Sequence, residues 1–105
     1  MTVHELKTDP RVFQASWDGE KTFELRLDDG RNFQVNDELV LKETKFTGTQ
    51  MKYDPLLCPL VYTGRNIRVR VTYILRSPFY ALQGDWVIMA IIRLSRWTKP
   101  NAAAA

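Results

Sequence analysis

The chain has 105 residues, a length that corresponds to one domain with one hydrophobic core. Hydrophobic residues make up 45% and charged residues 26% of it, which argues against the disordered and fibrous classes. The net charge is only +3, but residues 1–58 hold eight Lys and Arg against eleven Asp and Glu, whereas residues 59–105 hold seven against one. The basic second half indicates an anionic partner, unless folding mixes the two halves into a neutral surface.

Cysteine usage and hydropathy bear on cofactors and location. Cys58 has no second cysteine to pair with, and no spacing of metal ligands is present, so we expect no cofactor and no metal. The N-terminus is charged, and the longest apolar run, residues 86–92, is too short to cross a bilayer. We therefore expect a cytoplasmic protein without a membrane role. Its domain would span residues 1–99, followed by a frayed tail or cloning scar at residues 100–105.

The first third of the chain predicts a strand, a helix and a second strand. Residues 3–7 alternate apolar and polar side chains, as a short strand does. Thr8-Asp9-Pro10 supplies an N-cap and a proline at the first helical position, and Gly19 can end the helix, so we expect a helix over residues 10–18. Along the strand at residues 22–27, Phe23, Leu25 and Leu27 alternate with Thr22, Glu24 and Arg26.

The middle of the chain carries strong turn signals. The Asp29-Gly30 pair predicts a hairpin between residues 22–27 and residues 32–35. Residues 38–44 predict another strand, entered through Asn36 in a left-handed conformation. Residues 45–65 contain two prolines, two glycines and no clear period, so we expect a long loop that either borders the ligand site or is a disordered insertion.

The last third predicts two strands. Residues 66–75 alternate strictly, with Ile67, Val69, Val71, Tyr73 and Leu75 on one face. Residues 86–94 are apolar on both faces, as in a central strand that is covered on both sides. Because no βαβ alternation is present, the element order predicts a mainly β (α+β) fold, a small β-barrel of about five to six strands with one early α-helix.

Few catalytic templates fit the sequence. The chain has one histidine, His4, near the terminus, and no serine or cysteine in an elbow-like context, which argues against hydrolytic triads of the Ser-His-Asp kind. No glycine-rich phosphate loop is present either. Lys21 beside Glu24 can polarise a carbonyl or share a proton when both are desolvated, although such pairs are also common on exposed strands.

A second group of polar residues is basic. Arg68 and Arg70 share one strand face, Arg65 precedes them, and tyrosines lie nearby. This pattern predicts a nucleic-acid surface that tracks phosphates and stacks bases, or else the solvated side of a half-buried strand.

Several short runs between residue 3 and about residue 94 carry a family likeness. The most specific is Gly19-x-Lys21-Thr22-Phe23-Glu24-x-Arg26, and others are His4-Glu5-Leu6-Lys7, Phe33-Gln34-Val35-Asn36-Asp37 and Tyr62-Thr63-Gly64-Arg65. These runs resemble the ASCH-like domains of the PUA superfamily, in particular a bacterial and phage group. The resemblance implies a small β-barrel with a cleft beside the first helix that binds RNA or nucleotides. It places Lys21, Glu24 and Arg26 in that cleft. We add Lys7 as a weaker candidate for ligand binding.

The resemblance also bears on catalysis. One branch of ASCH proteins hydrolyses acylated cytidines with a lysine and a threonine of this run and a later glutamate. Lys21 matches the lysine, but Glu24 stands at the threonine position and Glu43 is the last glutamate of the chain. We therefore expect an RNA- or nucleotide-binding module without catalytic residues. The alternatives are an amidohydrolase acting on an N-acylated nucleoside, and a phage or mobile-element accessory protein that binds another protein through residues 45–65.

Overall fold

The computed structural model describes residues 1–99, so the expected tail at residues 100–105 lies outside the described residues. Five strands and two short helices follow one another as β1 (Val3–Thr8), α1 (Pro10–Trp17), β2 (Phe23–Leu27), β3 (Glu38–Thr44), α2 (Gly48–Tyr53), β4 (Tyr62–Arg76) and β5 (Trp86–Thr98). The strands form one curled, half-barrel sheet in the order β1-β3-β4-β5-β2. The predicted fold class, mainly β with one early helix, is confirmed.

The sheet topology places β1 and β2, which are close in sequence, at opposite edges of the sheet. β1 pairs in parallel with β3, and the remaining neighbours are antiparallel. β1 and β2, which α1 connects in sequence, are the two edge strands. Because the sheet curls, the two edges approach each other, and the Arg26 side chain of β2 reaches the main chain of β1. We call the gap between these edges the seam.

α1 begins and ends close to the predicted positions. The Asp9 carboxylate caps it by accepting from the Arg11 backbone N–H at 2.8 Å, and Pro10 occupies the first turn. Gly19 has a φ of +80°, a conformation that glycine adopts without steric cost. Phe13 is fully buried and Trp17 packs against the core, which fixes α1 on the sheet.

One core fills the inside of the curl. Its buried hydrophobic members are Leu6, Phe13, Phe33, Leu39, Leu41, Ile67, Val69, Val71, Val87, Met89 and Ile91. Within the described residues, no helix is long and apolar enough to span a membrane.

The predicted hairpin between residues 22–27 and residues 32–35 is wrong. β2 pairs with β5 instead, and residues 32–35 form no strand. The Asp28 carboxylate accepts from the backbone N–H groups of Asn32 at 2.7 Å and Phe33 at 3.2 Å, which organises a turn that inserts Phe33 into the core. Asn36 has a φ of +77°, so its predicted left-handed conformation is confirmed.

The second half of the sheet also departs from the strict pattern. A register shift between Val71 and Tyr73 makes Ile74 the partner of buried Met89 and turns Tyr73 outward. The expected face of residues 67–75 is therefore interrupted by a bulge. β5 lies between β4 and β2, so its predicted place as a central strand is confirmed. The prediction that both its sides are covered is wrong for residues 1–99, because Trp86 and Ile92 on its outer side are exposed.

Candidate binding cleft

The seam opens into a cleft of about 510 Å³, a volume typical of small-molecule sites. Its walls come from β1, α1, β2, the end of β3 and α2. The lining residues are Lys7, Thr8, Asp9, Val12, Lys21, Phe23, Glu24, Leu25, Arg26, Thr44, Gly48 and Met51. The cleft thus gathers all four predicted ligand-binding residues, Lys7, Lys21, Glu24 and Arg26.

β2 turns its polar side chains toward the inside of the curl. Glu24 is only 1% exposed, whereas Phe23 and Leu25 are each about half exposed. The pairing with β5 explains this orientation, because Glu24 lies opposite Met89, a fully buried core residue. An ionisable side chain thus occupies a core position at the floor of the cleft, and it needs charged partners there.

Lys21, Glu24 and Arg26 form a compact ionic group, which we call the β2 cluster. Glu24 Oε2 accepts a short hydrogen bond from Lys21 Nζ, and Glu24 Oε1 accepts from Arg26 Nε at 2.9 Å. Lys21 Nζ also donates to the Phe23 carbonyl at 2.7 Å. With all three groups ionised, the cluster carries one excess positive charge. Since both carboxylate oxygens already accept from cations, Glu24 is better placed to position Lys21 and Arg26 than to bind a ligand itself.

Two arginine side chains bridge the seam. Arg26 donates from Nη1 to the Lys7 carbonyl at 2.8 Å and from Nη2 to Thr8 Oγ1 at 3.0 Å. Arg31 donates from Nη1 to the Glu5 carbonyl at 3.2 Å. The Glu5 and Lys7 carbonyls are two residues apart and point to the same edge of β1, where they would otherwise accept from the backbone N–H groups of a neighbouring strand. The seam is therefore held by guanidinium groups and not by a β-ladder, which also blocks an exposed strand edge.

α2 forms one rim of the cleft. The Asp9 carboxylate that caps α1 also accepts from the Gly48 backbone N–H at 2.9 Å and so ties the start of α2 to α1. The hydrogen bond from the Arg11 side chain, together with those from the Gly48 and Arg11 N–H groups, outweighs burial and lowers the pKa of Asp9 to about 2. The expectation of an irregular loop over residues 45–65 is thus wrong in part, because α2 and the start of β4 lie within this range. Gly48 and Met51 of this segment line the cleft.

The structure places Arg65 and Arg68 away from the cleft and pairs both with carboxylates. Arg65 contacts Glu43 at 2.8 Å, and its guanidinium packs over the Phe13 and Trp17 rings. This ion pair raises the pKa of Arg65. Burial alone would raise the pKa of Glu43, but the hydrogen bonds from Arg65 and Thr63 outweigh burial and lower it.

Arg68 makes a short ion pair with Glu38, the residue that lies opposite Arg70 in the β3–β4 register. Carboxylates of the acidic half of the chain therefore neutralise much of the predicted basic surface.

A comparison of the sequence with protein-family models shows to which family the chain belongs. The family model described as "Domain of unknown function (DUF3850)" matches residues 3–91. The chain belongs to this family. No match is found among curated proteins. The DUF3850 match contains every residue that lines the cleft, and it ends inside β5.

Sequence reasoning missed several cleft residues of this DUF3850 domain. Thr8 is buried on the inner face of β1, where the alternation of His4, Leu6 and Thr8 would have placed it. Thr44 and Met51 come from segments that only the tertiary fold brings to the seam. His4 itself is buried and contacts Asp37 at 2.9 Å, where it anchors the N-terminus, and it does not line the cleft. Within residues 1–99, no three His, Cys, Asp or Glu side chains are grouped so as to hold a metal ion.

Proposed function

We propose that this DUF3850 domain is an RNA- or nucleotide-binding module of the PUA/ASCH-like kind and that the cleft at the seam is its ligand site. The observation that carries this proposal is the β2 cluster. Two cations are held by one buried carboxylate at the floor of a cleft whose outer walls are largely apolar. Such a site suits a ligand with an anionic or carbonyl end and a flat apolar body, and a nucleotide has both.

The polar end of the ligand would bind to Lys21 and Arg26. Their hydrogen bonds within residues 1–99 use two of the three N–H donors of Lys21 and three of the five N–H donors of Arg26, and Arg26 Nη2 also contacts Glu24 Oε1 at 2.8 Å. The remaining donors, with the excess positive charge of the β2 cluster, can bind phosphate or carbonyl oxygens. Lys7 adds a further cation at the mouth of the cleft.

The base would pack against the apolar walls. Val12 of α1, Phe23 and Leu25 of β2, and Met51 of α2 line the cleft together. Aromatic rings and polarisable thioethers bind the faces of nucleobases without strong base preference. Arg70 lies on another part of the sheet and would contribute long-range attraction of a polyanion, whereas Arg68 is paired with Glu38.

The proposal is tested by titrating the protein with a short single-stranded RNA and with cytidine monophosphate at salt concentrations from about 50 mM to about 200 mM. With two phosphate contacts we expect log affinity for the RNA to fall with log salt with a slope of about −1.4. Lys21→Ala should weaken binding of both ligands by about tenfold, which corresponds to the loss of one charged contact of about 1.4 kcal/mol. Lys45→Ala is the matched control, because Lys45 is exposed and lies outside the cleft. Binding that neither salt nor Lys21→Ala changes would contradict the proposal.

A second candidate, an amidohydrolase acting on N-acylated nucleosides, is favoured by one observation. Thr8 brings a hydroxyl group into the cleft next to Arg26, although Glu24 occupies the position of the threonine in the hydrolytic relatives. Incubation with N4-acetylcytidine separates the two functions. Release of cytidine by wild type and not by Lys21→Ala would replace the binding proposal with the enzymatic one, whereas binding without turnover supports a module that only binds.

A further inference from the structure

The outer surface of β2, β5 and β4 carries an uncharged apolar face. The strand register aligns Phe23, Ala90 and Tyr73 in one row across the three strands. The next row consists of Leu25, Ile88 and Leu75, and the third of Leu27 and Trp86. Residues directly opposite each other in a sheet project from the same side, so these eight residues form one surface, which we call the outer face.

The outer face is well exposed. Its most accessible members are Tyr73 at 62%, Leu25 at 51%, Phe23 at 48%, Leu27 at 45% and Trp86 at 45%. Side chains of this size that are half exposed present on the order of 100 Å² each, so the face exposes on the order of 500 Å² of apolar area. This is near the upper end of what monomeric proteins leave in water, and patches of this size mark interaction sites.

We propose that a second copy of this chain covers the outer face, in a two-fold symmetric homodimer that packs sheet on sheet. A two-fold axis places a surface against itself, so the surface must be its own complement. None of the eight residues of the outer face is charged, so no like charges meet within the face when two copies pack. Lys21, whose Nζ lies 5.0 Å from the centre of the Phe23 ring, is paired with Glu24. Ile92, which follows Ala90 on the outer side of β5 and is 47% exposed, extends the face toward the roughly 800 Å² per partner of a standard interface. Nucleic acid fits this surface poorly, because the three rows contain no cation to bind phosphate.

The amino-acid pattern of β5 supports the same conclusion. Val87, Met89 and Ile91 fill the core from its inner side, while its outer side carries Trp86, Ile88 and Ala90. Strands that are apolar on both faces are typical of sheets covered on both sides. Within residues 1–99 only the inner side is covered, and a partner sheet at about 10 Å distance would cover the other.

Sedimentation velocity of the full chain, from about 1 µM to about 100 µM, tests the proposal. We expect the mass of two chains at the upper concentrations. Tyr73→Arg should shift the protein to the mass of one chain, because the substitution places a charge at the most exposed position of the outer face in both copies. Phe23 and Leu25 belong both to the outer face and to the cleft wall, so sedimentation is measured without ligand. Tyr73 does not line the cleft, and its substitution leaves the proposed ligand site intact.

Leu56→Arg is the matched control, because Leu56 is 93% exposed and lies outside the outer face. It should sediment like wild type. Circular dichroism shows whether each variant is folded, and Leu27→Arg replaces Tyr73→Arg if the latter unfolds. A wild-type protein with the mass of one chain at all concentrations would overturn the proposal. A folded Tyr73→Arg or Leu27→Arg variant that remains a dimer would overturn it as well.

Discussion

At the scale of single residues, Glu24 is the side chain on which the cleft depends. The sequence predicted that Lys21, Glu24 and Arg26 lie together, because alternation and the position of Gly19 place them at the start of one strand. It did not predict that Glu24 is buried or that Phe23 and Leu25 face outward. Alternation defines two faces of a strand, and only the pairing of β2 with β5 determines which one faces the core.

The buried position of Glu24 leads to a prediction about stability. Glu24→Gln retains the shape of the side chain but leaves Lys21 and Arg26 without a counter-charge, and we expect the free energy of unfolding to fall by about 3 kcal/mol. Urea denaturation at neutral pH measures this change. Glu20→Gln, the same substitution at an exposed site, should change the free energy of unfolding by less than about 0.5 kcal/mol. Equal effects of the two substitutions would show that the charge of Glu24 does not hold the β2 cluster together.

At the scale of elements, the start of α2 could have been predicted from the sequence, but its attachment to the cleft could not. Thr47 and Gln50 form a reciprocal capping box, and Thr-x-x-Gln is a sequence signature of a helix start. The prolines and glycines around this run favoured a loop interpretation over the whole segment. The attachment of α2 to the cleft could not be read from the sequence, because the hydrogen bond from Gly48 to Asp9 joins residues 39 positions apart.

The lowered pKa of Asp9 predicts how this attachment responds to pH. Its pKa of about 2 in the folded protein lies below the value of an unfolded aspartate, about 3.9, so its contribution to stability is complete above about pH 4 and is lost as the pH falls toward 2. We expect the urea midpoint of wild type to decrease over this range and to decrease less in Asp9→Asn. Asp29→Asn, an exposed aspartate in the turn after β2, should keep the wild-type pH dependence.

The remaining pH dependence of Asp9→Asn has identified sources. Hydrogen bonds to the carboxyl groups of Asp28, Asp37 and Glu43 outweigh the effect of burial and lower the pKa of each. By the same reasoning, each contributes stability that is lost on acidification. An Asp9→Asn variant with the full wild-type pH dependence would contradict the role assigned to Asp9.

At the scale of the whole molecule, the fold class followed from the element order, but the distribution of charge did not. The basic second half indicated an anionic partner. Folding instead pairs Arg65, Arg68 and Arg76 with carboxylates of the first half, and Arg93 and Arg96 donate to the Trp17 carbonyl at the end of α1. The two halves are thus intermixed, which was the alternative interpretation of the charge asymmetry. These contacts, like the β2–β5 pairing and the bulge in β4, join residues distant in sequence.

The central claim is that the seam between β1 and β2 binds a nucleotide, and mapping the site by NMR tests it most directly. Titration of ¹⁵N-labelled protein with cytidine monophosphate should shift the backbone amide signals of Thr8, residues 21–26 and residues 48–51. The same titration of Lys21→Ala should need about tenfold more ligand to produce these shifts. Shifts confined to the strand around Arg68 and Arg70, or no shifts at all in the folded protein, would contradict the account.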